Sequence, residues 1–194
     1  MRNNHRVIYT SSYDRGLEHL LGMWPDIKKE VPKAELHVFY GWQLFALFVK
    51  GNPGAEAWMN KMKELLKQDG VTDHGRVNQI DLVKEYEQSG VWAYPTHFGE
   101  INCISAIKAQ AYGCEPVVVN YAALKETVQY GRKVEGDIYD QETKEKFKKE
   151  LIDALKNPME DSERKTMSEW ARYKYNWNKI AEEWSNEFNG GEIL

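Results

Sequence analysis

Between Val91 and Asn120 the chain reads VWAYPTHFGEINCISAIKAQAYGCEPVVVN, and few architectures accommodate that run. Val91 to Tyr94 is short, apolar, β-branched and aromatic, and Pro95-Thr96 stops it, as expected of a buried strand. Ile101, Ile104, Ile107 and Ala111 then recur at three- and four-residue spacing, which predicts a helix with one buried stripe. Gly113 falls where that helix should end, because a left-handed terminal residue is least strained without a Cβ. Pro116 to Val119 is a second apolar run, too short for anything but another buried strand. Strand, helix and strand so close together predict a right-handed parallel crossover. Glu100 lies in the turn between the first of these strands and the helix, where open parallel sheets receive ligands.

The flanking sequence repeats the alternation. Arg6 to Ser11 is expected as the first strand, and it starts so near Met1 that little room is left for an upstream domain in this sequence. A turn at Ser12 to Gly16 leads to a helix with Leu17, Leu20, Leu21 and Trp24 on one face. Pro25 should restart or kink that helix. Glu35 to Gly41 reads as a second strand. Trp42 to Gly54 has no clear period, and Ala55 to Gln68 is an amphipathic helix on Trp58, Met62, Leu65 and Leu66. Val71 to Val77 is a weak third strand, and Asn78 is a helix N-cap for Ile80 to Gln88. Val134 to Ile138 is expected as a short last strand. Helices follow at Glu142 to Lys156, Ser162 to Tyr173 and Trp177 to Phe188. The expectation is an α/β class protein, a Rossmann-like three-layer α/β/α sandwich with a parallel sheet of about six strands. A nucleotide-binding domain would span 1–158 and closing helices 159–194. The aromatic cluster Trp170, Tyr173, Tyr175, Trp177 and Trp184 is either the packing of two closing helices or an exposed interaction surface.

Composition excludes several classes. With 29% charged residues and a formal net charge of -4, nothing general favours nucleic acid or an anionic membrane. The two cysteines, Cys103 and Cys114, suggest neither a disulfide framework nor a zinc site, and no metal is called for. There is no membrane-spanning apolar run and no signal peptide, so a cytoplasmic location is the expectation. No phosphate loop, dinucleotide glycine fingerprint, Gly-x-Ser-x-Gly elbow or His-Glu-x-x-His occurs, which removes the simplest nucleotidase, dehydrogenase, hydrolase and metalloprotease readings.

What remains is a series of polar groups at the carboxyl ends of successive expected strands. Ser11, Ser12, Asp14, Arg15 and Gly16 follow the first, Gly41 and Trp42 the second, and His74, Arg76 and Val77 lie around the third. Thr96, His97, Gly99, Glu100 and the amides of Ile101, Asn102 and Cys103 follow the fourth, with Ile104 and Lys108 further along the helix. Unpaired amides at a helix start favour an anion, and Arg15 can make a two-pronged contact with phosphate. The crevice suits a phosphorylated, polyhydroxylated ligand. Read without that ligand, Glu100 is a first-turn acid, Arg15 and Lys108 are solvated charges, and His74 and His97 are loop histidines.

Tyr94-Pro-Thr-x-Phe-x-Glu100, followed after seven residues by Lys108-Ala-Gln-Ala-Tyr-Gly-Cys-Glu-Pro-Val-Val118, resembles the nucleotide-sugar signature of retaining glycosyltransferases with the GT-B fold. The resemblance is to the group-1, or family 4, class. Ser11-Ser-x-Asp-Arg-Gly-Leu17, Trp24-Pro-x-Ile27 and Glu35 to Trp42 resemble the opening of the same donor-binding domain, and Tyr121 to Val128 resembles the loop after its signature. Nearly the whole chain is covered, in order, but only as the C-terminal half of such an enzyme.

The resemblance implies a catalytic pair of Glu100, on the hydroxyls of the transferred sugar, and Arg15. With the amides of Ile101 to Cys103, Arg15 would hold and stabilise the departing diphosphate. His74 to Val77 would line the base pocket. The substrate would be a nucleotide-diphosphate sugar such as a UDP- or GDP-hexose, with no further cofactor. An N-terminal acceptor domain, in cis or in trans, would be the partner and could bring peripheral membrane association. Lys108 departs from the family, which places a second Glu there to accept from the ribose diol; lysine only donates. Either the ribose is held differently, Lys108 reaches a phosphate, or donor binding is impaired. The alternative function is a catalytically incomplete nucleotide-sugar-binding or interaction module.

Overall fold

Apolar runs without alternation belong to strands covered on both faces. All of Ser89 to Tyr94 and Glu115 to Val119 is buried, and they form neighbouring central strands. The structure, a computed structural model, describes residues 1–188 and 190, apart from the side chains of Leu44 and Phe48. Its strands are β1 (Asn3–Tyr9), β2 (Glu35–Phe39), β3 (Val71–Gly75), β4 (Ser89–Tyr94), β5 (Glu115–Val119) and β6 (Arg132–Val134). They pair in parallel in the order β3-β2-β1-β4-β5-β6. This is the expected Rossmann-like α/β sandwich. The direction in which successive strands are added reverses between β1 and β4, so the loops leaving those strands part and open a crevice between them.

The helices are α1 (Leu17–Glu30), α2 (Gln43–Val49), α3 (Pro53–Leu65), α4 (Gln79–Gln88), α5 (Ile104–Ala111), α6 (Leu124–Thr127), α7 (Gln141–Lys156), α8 (Asp161–Lys174) and α9 (Trp177–Phe188). α1 packs with α7, α4 with α5, and α8 against α5. The core runs through Trp24, Trp92, Tyr9, Tyr94 and Phe147, all fully or almost fully buried. Burying each aromatic contributes roughly 1.5–3 kcal/mol.

Several expectations are corrected. Pro25 does not interrupt α1. Proline removes the N–H that would bond the Leu21 carbonyl, and Gln68 Nε2 donates to that carbonyl instead, at 3.0 Å. α5 starts at Ile104 rather than Ile101, and its apolar stripe does not face the core, since Ile101 is 97% and Ile104 62% exposed. Its buried face is Ala106, Ala109 and Gln110, whose amide donates to Thr127 O at 2.8 Å, and α8 packs against the helix. Gly113 does close the region in the left-handed conformation, at φ 72°. The last strand lies at 132–134, not 134–138. Val134 pairs with Val119, after which the chain turns at Gly136 and the Asp140 amide bonds Asp137. The first strand ends at Tyr9, leaving Thr10 and Ser11 in the loop.

The C-terminal aromatics divide. Trp170 packs edge-on against Tyr130 and Tyr175, with ring centroids 5.8 and 5.9 Å away. Tyr173, Trp177 and Trp184 are exposed, and α9 buries no residue among those described. Of the expected 159–194 segment, 189 and 191–194 lie outside the described residues. No helix among the described residues is long and apolar enough to cross a membrane.

Arg164 joins α8 to the sheet. It donates to Gly90 O at 2.9 Å, Gly113 O at 2.8 Å and Met159 O at 3.0 Å, with the Glu115 carboxylate 3.9 Å away. Arg164→Met strands three carbonyls and removes one of the two cations beside the buried Glu115 carboxylate. It should cost about 3 kcal/mol or more in urea unfolding; a loss below about 1 kcal/mol would show that these groups find other partners.

Candidate functional site

β1 and β4 lie side by side, so their end residues Tyr9 and Tyr94 pack at 5.9 Å and the loops beyond them meet. Tyr9 O–H donates to Ser12 O at 2.8 Å, and the Arg15 amide donates to the same carbonyl at 3.0 Å, folding the 10–16 loop over the strand ends. Gly16 lets this loop press against the next. At φ 112°, a Cβ there would sit 2.2 Å from the Pro95 carbonyl oxygen.

The two loops bring Arg15 and Glu100 together. Arg15 Nη1 lies 3.3 Å from Glu100 Oε1, with its guanidinium 3.8 Å over the Phe98 ring. Tyr94 O–H donates to Glu100 Oε1 at 2.7 Å, and Ser11 Oγ is 3.1 Å from the Tyr94 hydroxyl. Burial raises the Tyr94 phenol well above its ordinary value, so it stays a donor to the carboxylate. The Glu100 side chain is 11% exposed and Arg15 35%, so the pair opens to solvent on the arginine side.

α5 begins at Ile104, so its first-turn amides are those of Ile104, Ser105 and Ala106, and the amides of Ile101 to Cys103 lie in the turn just before it, with no backbone hydrogen bond among the described residues. Cys103 is the buried N-cap, and burial pushes its thiol up to about 12, which leaves it inert. Ile101 and Asn102 line a separate cavity with Trp170 and Tyr175, and Gly99 is exposed beside Glu100.

A cavity of about 490 Å³ opens at the ends of β1 and β2 against α4 and α5. Of the expected residues, Arg76, Val77, Ile104 and Lys108 line it. Sequence reasoning missed Thr10, Phe39, Tyr40, Gln79, Leu82, Tyr86 and Ser105. Thr10 and Tyr40 directly follow β1 and β2, a position that could have marked them. Lys108 Nζ donates to Gln79 Oε1.

Other expected residues lie beside the cavity rather than in it. The Gly41 amide donates to Tyr13 O–H at 3.0 Å, and Trp42 packs edge-on against the Tyr13 ring. His74 stacks on Phe39 at 4.4 Å and on His37 at 5.1 Å. Arg6 approaches His37 Nδ1 at 3.1 Å and His74 Nε2 approaches it at 2.8 Å. Arginine can only donate, so His37 Nδ1 must accept, which holds that ring neutral. Burial lowers the pKa of both His37 and His74, and Arg6 lowers them further.

The sequence matches the family described as "Glycosyl transferases group 1" over residues 6–177, and the chain belongs to that family. No curated protein matches the sequence. Among solved structures, sucrose-phosphate synthase from Thermosynechococcus elongatus superposes with a TM-score of 0.74 at 20% identity, over 95% of this chain and 45% of that one. Pneumococcal O-GlcNAc transferase GtfA, in complex with UDP and GlcNAc, gives 0.70 at 13% identity, over 97% and 36%. HepE from Anabaena, in complex with UDP-glucose, gives 0.69 at 16%, over 97% and 49%. At these identities the likeness is one of fold, and this chain spans less than half of each.

Two outcomes test the local geometry. Gly16→Ala should lower stability by about 2 kcal/mol or more, read by urea unfolding, from unfavourable φ and the Pro95 clash. The unfolded state protonates His37 and His74 near pH 6.5 while the fold resists it, so stability should fall as pH drops through about 6.5. His37→Gln should flatten that dependence; an unchanged slope would show that the stack does not titrate with folding.

Proposed function

We propose that this domain binds the nucleotide-diphosphate sugar donor of a retaining glycosyltransferase, a UDP- or GDP-hexose, and takes part in transfer of the hexosyl group. The observation that carries the reading is the Arg15–Glu100 pair, at 3.3 Å, at the switch point of the sheet and anchored by Tyr94. Its acid suits sugar hydroxyls, its guanidinium suits a diphosphate, and the neighbouring cavity has room for a nucleoside. UDP or UDP-glucose in the solved relatives of this fold supports the same assignment.

In this mechanism, the bond between the anomeric carbon and the diphosphate oxygen breaks while the acceptor oxygen bonds on the same face. The acceptor's proton passes to the leaving diphosphate. Arg15 and the first-turn amides of α5 stabilise the charge that develops there, and Glu100 positions the sugar. A separate acceptor-binding domain, in cis or in trans, completes the site and is the route for any peripheral membrane association. The cytoplasm is its proposed location. A module that binds donor without catalysis is separated from this reading by assaying transfer once that domain is supplied.

Calorimetric titration with UDP, GDP and their hexose conjugates tests the assignment. Arg15→Ala should weaken nucleoside diphosphate and sugar nucleotide alike, by about tenfold or more. Glu100→Ala should weaken only the sugar nucleotide. If both variants bind as wild type does, the site is misassigned.

A further inference from the structure

The cavity beside α5 carries a charge pattern that a neutral nucleoside does not account for. Its cations are Arg76 and Lys108, and neither Asp nor Glu lines it. Lys108 donates to the neutral Gln79 amide, and Arg76 makes no side-chain ion pair or hydrogen bond among the described residues. In the cavity of about 590 Å³ bounded by α1 and α7, Lys148 meets Asp26 at 2.8 Å and Glu145 at 2.7 Å, and Asp14 and Glu18 add negative charge. A chain of net charge -4 therefore leaves one concavity positive and another acidic.

Position sharpens the inference. Ile104, Ser105 and Lys108 share a face of α5, and side chains lean toward a helix's N-terminus. The Lys108 amine leans toward the first turn and meets Gln79 at the start of α4. Arg76 enters from the β3–α4 connection. Two unneutralised cations from different elements, facing one half-enclosed space, suit an anion more than a hydroxyl pair.

We propose that Lys108 and Arg76 form an anion subsite that holds a phosphoryl group of the bound nucleotide, so that this wall of the cavity recognises charge and not the ribose diol. The proposal rests on the nucleotide reading above and names which part of the ligand the cavity selects. Its consequence is discrimination between nucleoside diphosphates and nucleosides by side chains distinct from Arg15.

Binding of UDP, GDP, uridine, guanosine and inorganic pyrophosphate to the purified protein, by calorimetry at low and high salt, tests it. Lys108→Gln, with Arg76→Gln as a second variant, should weaken diphosphate binding by about tenfold or more and reduce its salt dependence. Nucleoside binding should hold steady, and Lys108→Arg should keep most of the affinity. Circular dichroism melting confirms that each variant is folded. Diphosphate affinity unchanged in both Gln variants, tighter binding by Lys108→Glu, or equal losses for nucleoside and diphosphate would overturn the subsite and leave the nucleotide reading intact. Lys108-dependent binding of pyrophosphate without UDP or GDP would support the subsite and overturn the nucleotide reading. No binding of any probe would overturn both.

Discussion

The site depends on one contact between chain ends: the Glu100 carboxylate, held by the Tyr94 hydroxyl at 2.7 Å and faced by Arg15 at 3.3 Å. Two loops far apart in sequence meet there because β1 and β4 are neighbours, at the point where the strand order turns from β1-β2-β3 on one side to β4-β5-β6 on the other. Tyr94 is the last residue of a fully buried strand, so its phenol is a fixed post. A carboxylate with one rigid donor and one partly solvated cation retains free lone pairs for a ligand. The close approach of Gly16 to Pro95 keeps the two loops at that distance.

Electrostatics then divides the surface around this pair. On the α5 side lies the cavity without carboxylates; on the α1 and α7 side, paired lysines and acids. The chain belongs to the group 1 glycosyltransferases and shares its fold with solved structures of such enzymes, while its own chemistry rests on these residues.

The sheet was legible where burial is two-sided. Unbroken apolar runs at 91–94 and 116–119 admit no other role, and Gly113 marked its helix end. Edge elements were harder. β3 has exposed residues and β6 has three residues, so periodicity says little about where they stop. Ile101 and Ile104 fit a helical stripe but face solvent, because α5 starts at Ile104 and turns Ala106, Ala109 and Gln110 inward instead. Pro25 misled because its remedy, Gln68, lies far along the chain. Arg15 and Glu100 stand out by their places after strands, and the structure brings the two side chains together, whereas Tyr94 as an anchor and Gln79 as the partner of Lys108 were not legible. Those roles depend on distances between elements, which no local pattern encodes.

Amide chemical shifts of the isotopically labelled protein, followed as UDP or GDP is added, address the central claim most directly. The account predicts the largest changes at Ile104, Ser105 and Ala106 and in the loop from Ser11 to Gly16, where the two strand ends converge. Changes confined to the acidic cavity around Asp26 and Lys148, with the first turn of α5 undisturbed, would contradict it.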